Sequence, residues 1–207
     1  MSYFNCNTNY LYPFPFPHFM RILNFDEFKL EKESLINAII EGALFIHPTD
    51  TIYGIGCNAE LSDSVKKIRQ IKGRATSPFS VIAPSLEWIH KNCVVAKEGE
   101  EWLSRLPGPY TLIFKLKNNC VAKEVNPGLK TLGIRMPNHW IMKSVAEAEV
   151  PVVTTSVNRS NEDYMTSLED LDPAIKKSID FALYEGAKEG RPSKIIDLAE
   201  TLKVIER

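Results

Sequence analysis

Three short islands of this chain carry side chains able to handle negatively charged ligands. Lys72-Gly73-Arg74 places a compact ammonium and a planar guanidinium two residues apart, a pair suited to phosphate or carboxylate. Ser156-Val157-Asn158 supplies a hydroxyl and an amide, donors and acceptors without net charge. His47-Pro48-Thr49-Asp50-Thr51-Ile52-Tyr53-Gly54-Ile55-Gly56 gathers two threonine hydroxyls, a carboxylate and a phenol ahead of two glycines, which read as a tight turn. Arg135, inside Gly133-Ile134-Arg135-Met136-Pro137, is a charge in an apolar run and must be exposed, paired or used. Each island alone has a plainer explanation. Lys72 and Arg74 fit a solvated basic patch with Lys66, Lys67 and Arg69. Ser156 and Asn158 fit a strand-end turn held by side-chain-to-backbone bonds, and Arg135 fits a structural ion pair.

Other chemistries lack their parts. The chain has no G-x-x-x-x-G-K-[ST] loop and no G-x-G-x-x-G. No Cys-His or Ser-His-Asp arrangement is suggested, so a covalent enzyme intermediate is not expected. Cys6, Cys57, Cys93 and Cys120 are scattered, as are His18, His47, His90 and His139. That spacing favours free thiols in a reducing cytoplasm and no protein-ligated metal. A net charge of −1 argues against a dedicated nucleic-acid binder, though it allows a local basic cleft. No apolar run approaches the ~20 residues needed to span a bilayer, so no membrane partner is expected.

The elements that must position these islands alternate along the chain. Leu35, Ile36, Ile39 and Ile40 recur at helical spacing within 31–41, and Gly42 is placed to end that helix. The apolar run 43–47 reads as a buried strand. A helix carrying Val65, Ile68 and Ile71, capped by Ser62 or Asp63, closes at Gly73 and leaves Lys72 and Arg74 at its exit. Further strands are expected over 79–83, 110–117, 131–136, 151–155, 181–184, 194–198 and 202–205. Further helices are expected over 85–91, 97–106, 139–148 and 168–177. Such interleaving predicts an α/β three-layer sandwich around a twisted mixed sheet. One domain is expected over 20–207. Residues 1–19, with Pro13, Pro15 and Pro17 alternating with Phe14 and Phe16, read as a poorly ordered tail or as sequence upstream of a start at Met20.

In their order along the chain, the islands at 47–56, 72–74 and 156–158, with Pro-Gly-Pro-Tyr-Thr at 107–111 and Gly-Ile-Arg-Met-Pro at 133–137, resemble the YrdC family. The resemblance runs from about Leu35 to Arg207. It implies a YrdC-like fold and a nucleotidyltransferase making L-threonylcarbamoyladenylate, the first step of tRNA t6A modification. The implied substrates are L-threonine, bicarbonate or CO2, and ATP, with pyrophosphate leaving. Thr51, Arg135, Thr154 and Ser193 would then hold threonine. Lys72, Arg74, Thr111, Ser156, Asn158 and Arg207 would hold ATP, with Lys72 and Arg74 as the catalytic charges. Mg2+ would arrive on the phosphates, and the product would pass to the downstream tRNA t6A transferase machinery.

The chain departs from the family pattern in places. Ile82 stands where many members have histidine, and Val157 adds bulk expected to narrow the pocket. Ser160-Asn161 ends the segment usually closed by glycine, and Arg191-Pro192-Ser193-Lys194 replaces a glycine-glutamate-serine-threonine run. Longer relatives close the site with a further C-terminal domain; here closure is expected from residues 159–166 or from a partner. Two alternatives stay open: a carbamoyl-adenylate-forming carbamoyltransferase, and a double-stranded RNA-binding module whose phosphate contacts would weaken with salt.

Overall fold

The computed structural model describes residues 20–200 and 202–205. The expected N-terminal tail and Arg207 therefore lie outside the described residues. Eleven strands occur there: β1 Arg21–Leu23, β2 Phe45–His47, β3 Gly54–Gly56, β4 Ser80–Ile82, β5 Cys93–Val94, β6 Tyr110–Leu116, β7 Thr131–Arg135, β8 Val152–Ser156, β9 Phe181–Leu183, β10 Lys194–Asp197 and β11 Lys203–Ile205. The α-helices are α1 Phe25–Leu30, α2 Lys32–Glu41, α3 Ser62–Lys72, α4 Leu86–Asn92, α5 Lys97–Leu103, α6 Ile141–Ala148 and α7 Pro173–Lys176. Hydrogen bonding orders the strands β1-β9-β2-β3-β8-β4-β7-β6-β10-β11, with β5 beside β6. Parallel pairs such as β4/β7 and β6/β10 mix with antiparallel pairs such as β3/β8 and β6/β7.

Alternation along the strands splits the core into two layers, because successive side chains leave opposite faces. Phe45, Ile82, Val152, Phe181 and Leu183 pack with Phe28, Leu35, Ile39, Ile141 and Val145 of α1, α2 and α6. Their neighbours Ile46, Val81, Val153 and Ala182 turn the other way, toward Val65, Ile68, Ile89, Leu103 and Ile175 of α3, α4, α5 and α7. The result is helices on both faces of a mixed sheet, the expected three-layer α/β architecture.

The face beneath α1, α2 and α6 is only partly covered. Register places Gly54, Thr154, Ser80, Gly133 and Thr111 in that same layer beyond the last helix contacts. This uncovered stretch is the floor of the site described below.

Several local expectations are corrected. Gly54 and Gly56 form β3 rather than a turn. A Cβ on Gly54 would meet the His47 ring at 2.9 Å, and one on Gly56 at 3.1 Å, so both glycines make room for that ring. The N-cap of α3 is Leu61, with no side-chain bond; Ser64 Oγ instead donates to the Gly42 carbonyl at 2.8 Å. The helix expected over 168–177 is two pieces, a 3-10 turn Leu168–Asp170 and α7. Pro173 disfavours helical backbone at the residue before it, and Asp172 caps the new start by accepting from Ala174 N and Ile175 N. The elements β1, α1 and β5 were not expected. In α1, Asn24 and Glu27 form a reciprocal cap.

Candidate active site

The helix α3 ends where Gly73 takes a left-handed φ of 59°, a conformation that suits glycine. That exit brings Lys72 against the turn following β8. Lys72 is buried, and its Nζ donates to Ser156 O at 2.6 Å, Asn158 O at 2.9 Å and Asn158 Oδ1 at 2.9 Å. Ser156 Oγ donates to the same Oδ1 at 2.7 Å, and Asn158 Nδ2 donates to Glu162 O at 2.6 Å. Ser160 N–H donates back to Lys72 O at 2.9 Å. The two islands are therefore one knot. Burial, reinforced by Arg74, pushes the Lys72 pKa down to about 8. Its three oxygen partners favour the ammonium, which remains the main form at neutral pH. Asn161 completes the turn at φ 70°, a left-handed position asparagine tolerates.

Arg74 has its guanidinium 5.3 Å from the Phe79 ring centroid and donates to Pro78 O at 3.0 Å. A hollow of about 440 Å³ lies between Lys72, Arg74, Ser156 and Asn158. A second, of about 210 Å³, is lined by Gly54, Ser80, Thr111, Arg135, Thr154 and Ser193 among others. Arg74 and Ser156 border both. The site is two adjoining chambers with a shared wall.

In the smaller chamber Arg135 Nη2 donates to Asp50 Oδ1 and to Thr51 Oγ1, each at 3.1 Å. Asn138 N–H donates to Asp50 Oδ2 at 2.9 Å. Thr49 Oγ1 donates to Ile52 O at 2.7 Å, so Thr51 Oγ1, 3.0 Å away, spends its proton on Thr49 and keeps its lone pairs for donors. Arg135 is thus both ion-paired and part of the chamber wall. Across the floor, Thr111 Oγ1 and Ser193 Oγ lie 2.7 Å apart. These two hydroxyls, expected on different substrates, both line the smaller chamber and not the larger one. Arg207 lies outside the described residues.

Val157, expected to narrow the pocket, is buried in the core layer facing α3 and borders neither chamber. Alternation at the end of β8 turns it away. Ile82 is likewise buried, in the layer under α6. Among the described residues no group of three His, Cys, Asp or Glu side chains could hold a metal.

The chain matches, over residues 37–207, the family model Sua5/YciO/YrdC, described as telomere recombination. This chain belongs to the Sua5/YciO/YrdC family. It is 33% identical over 184 residues to a Methanocaldococcus jannaschii protein provisionally named threonylcarbamoyl-AMP synthase, covering 86% of this chain and 85% of that one. It is 34% identical over 177 residues to the Pyrococcus abyssi threonylcarbamoyl-AMP synthase, covering 82% of this chain but 51% of the other. The chain thus spans about half of that relative. The crystal structure of Pyrococcus abyssi Sua5 complexed with L-threonine superposes with a TM-score of 0.76 at 29% identity, covering 86% of this chain and 54% of that one.

Sequence reasoning named Ser193 but missed the stretch from Glu185 to Gly190 that leads up to it beside this candidate site. Tyr53 Oη donates to Gly186 O at 2.7 Å and accepts from Glu185 N–H at 3.1 Å. Burial raises the Tyr53 pKa to about 12, so the phenol keeps the proton it donates. The Glu185 carboxylate accepts from His139 at 3.0 Å, Trp140 at 3.0 Å and Lys188 at 2.6 Å. Burial opposes its ionisation, but these bonds outweigh it and hold the carboxyl below the ordinary range. Gly190 then passes so close to Thr51 that a Cβ would fall 2.2 Å from the Thr51 carbonyl oxygen. Tyr164 Oη donates to Gly190 O at 3.1 Å, tying in the 159–166 segment expected to close the site. Close approach to another backbone was the one readable signal, and a lone Gly190 among Lys, Glu, Arg and Pro residues does not announce it.

Proposed function

We propose that this chain makes L-threonylcarbamoyl-AMP from L-threonine, bicarbonate or CO2, and ATP. The reaction releases pyrophosphate and opens the t6A modification of tRNA. The observation that carries this reading is the pair of chambers sharing Arg74 and Ser156, one walled by Arg135 and the other by Lys72. An amino acid in one and a nucleotide in the other can then come into contact where the chambers adjoin, beside Arg74 and Ser156.

Arg135 takes the threonine carboxylate, with Thr51, Thr154 and Ser193 supplying uncharged partners around it. The free amine attacks CO2 and loses a proton to give a carbamate. A carbamate oxygen then attacks the α-phosphorus of ATP, and the bond to the β-phosphate oxygen breaks as pyrophosphate departs. Reactions of this kind need alignment and charge neutralisation more than a reactive side chain. Arg74 and Lys72 provide the charge, and Ser156 and Asn158 orient the phosphates; Thr111, paired with Ser193 in the smaller chamber, lies on the amino-acid side instead. Lys72 also fastens the turn that carries Ser156 and Asn158, so its role includes shaping the chamber. The larger chamber is lined by hydroxyls, amides and cations without a carboxylate. A Mg2+ ion would therefore be held chiefly by the phosphates, with the lining hydroxyls of Thr76, Ser77, Ser156 and Ser160 the available protein oxygens, and would supply further charge neutralisation there.

Among the described residues no helix is long and apolar enough to cross a membrane. A cytoplasmic setting, with transfer of the product to the tRNA-modifying machinery, belongs to the same proposal. Pyrophosphate release tests it. Release should require threonine, bicarbonate and ATP together, and release indifferent to threonine would refute the reading.

A further inference from the structure

His47 is fully buried across the strand pair from Gly54, which lines the smaller chamber, and its ring carries an acceptor with nothing to accept. Its Nδ1 lies 3.3 Å from Pro48 O, which can only accept, so Nδ1 carries the proton and Nε2 the lone pair. Nε2 has no hydrogen-bond partner among the described residues. A buried acceptor left empty destabilises the fold, so its persistence asks for a use.

The ring lies across the two glycines of β3. A Cβ on Gly54 would fall 2.9 Å from Nε2 and 3.0 Å from Thr154 Oγ1. Both Gly54 and Thr154 line the smaller chamber. Nε2 therefore lies just behind the stretch of wall formed by Gly54, where no side chain stands between the ring and the chamber, and a donor would have to approach it over the Gly54 backbone. Burial drives the His47 pKa down to about 3, with Arg135 and His139 nearby adding to the effect against the Pro48 contact. The ring is neutral, a lone-pair acceptor rather than a base or an anion-binding cation.

We propose that His47 Nε2 accepts a hydrogen bond from the amino acid in this chamber, from its amino group or its side-chain hydroxyl, and orients it against Arg135. This deepens the assignment of the chamber to an amino acid and rests on it. A neutral acceptor has an advantage here. A second free carboxylate would strongly hold the amine as ammonium and would compete for Arg135, whereas a neutral imidazole lone pair binds an N–H or O–H with a smaller bias toward the protonated amine.

The test is a set of KM values for threonine, 2-aminobutyrate and ATP in the wild-type chain, His47→Phe and His47→Gln. His47→Phe should raise the threonine KM about 10- to 100-fold, the scale of losing one buried hydrogen-bond partner, and leave the ATP KM unchanged. His47→Gln, which keeps an acceptor at similar reach, should recover most of the loss. An equal penalty on threonine and 2-aminobutyrate assigns the bond to the amine, and a penalty on threonine alone assigns it to the hydroxyl. If the phenylalanine ring cannot be folded in, His47→Met removes the acceptor with less bulk and is read the same way. A wild-type threonine KM in the folded Phe or Met variant, or KM values for threonine and ATP rising together, would overturn the proposal. Turnover of the wild-type chain that ignored threonine would instead remove the assignment of the chamber.

Discussion

Two pairs of residues on one face of β4 and β8 have opposite fates. Ile82 faces Val152, and both are sealed beneath α6. Ser80 faces Thr154 two residues away, and both line the smaller chamber. Two residues along a strand amount to roughly 6.6 Å. Over that distance the sheet face passes from packed core to the candidate site while the strand pairing stays in register. What changes is the cover: the helix contacts end, and Pro192 and Ser193 line the space instead, with Gly190 against the Thr51 backbone. His47 stands on the same boundary on β2, two residues after the core residue Phe45. Sealed positions should govern stability, and uncovered positions should govern turnover.

The largest effect should come from the sealed side. Ile82→Ala should cost about 2–5 kcal/mol in urea unfolding, the usual range for such a core truncation. Its turnover per folded molecule should stay within about threefold of wild type, since no contact to the chamber is removed. On the uncovered side, Lys72→Ala should lower pyrophosphate release at least ~100-fold, the scale of losing a preorganised charge contact. Near-normal rates in that variant would separate the knot at Ser156 and Asn158 from catalysis. Gly133→Ala should have a smaller effect. Its new methyl would lie 2.7 Å from Ser80 Oγ and 3.2 Å from Thr111 Cγ2. Activity should fall about tenfold, by analogy with overpacking elsewhere, and Ser80→Ala in the same chain should restore part of it.

The finest distinction is a pH profile. With a Lys72 pKa near 8, its charge is lost as pH rises past that value. The KM for ATP should therefore climb between pH 8 and 9, by at most about tenfold per unit for a single group. Stability moves in the opposite direction. Between about 8 and the ordinary 10.5 the unfolded lysine binds a proton that the native one lacks, so this group's contribution to the unfolding free energy rises with pH. An ATP KM flat to pH 10 would contradict the shared charge role.

The sheet and its helices were legible because burial imposes period. Leu35 and Ile39 share a helix face, and Val152 and Val153 divide between the two core layers. Lys72, Arg74, Ser156 and Asn158 were readable as chemistry from type and spacing, and the fold brings them together around one hollow. What stayed hidden depends on contacts between distant segments. Gly54 and Gly56 look like a turn, yet they are strand residues thinned for the ring of His47. Val157 looks like an obstruction until strand alternation turns it into the core. The Thr111–Ser193 hydroxyl pair spans strands joined only through the parallel pairing of β6 and β10. The segment against Thr51 rests on Gly190 and on the Tyr53–Glu185 bonds, none of which has a local signature.

Co-crystallisation with L-threonine and a non-hydrolysable ATP analogue addresses the two-chamber site most directly. The prediction is a threonine carboxylate on Arg135, phosphates against Lys72, Arg74 and Ser156, and the amine of one ligand facing the α-phosphate of the other. Phosphates bound elsewhere, for instance in the separate hollow beside Lys67, Arg159 and Lys177, with threonine alone by Arg135, would contradict it.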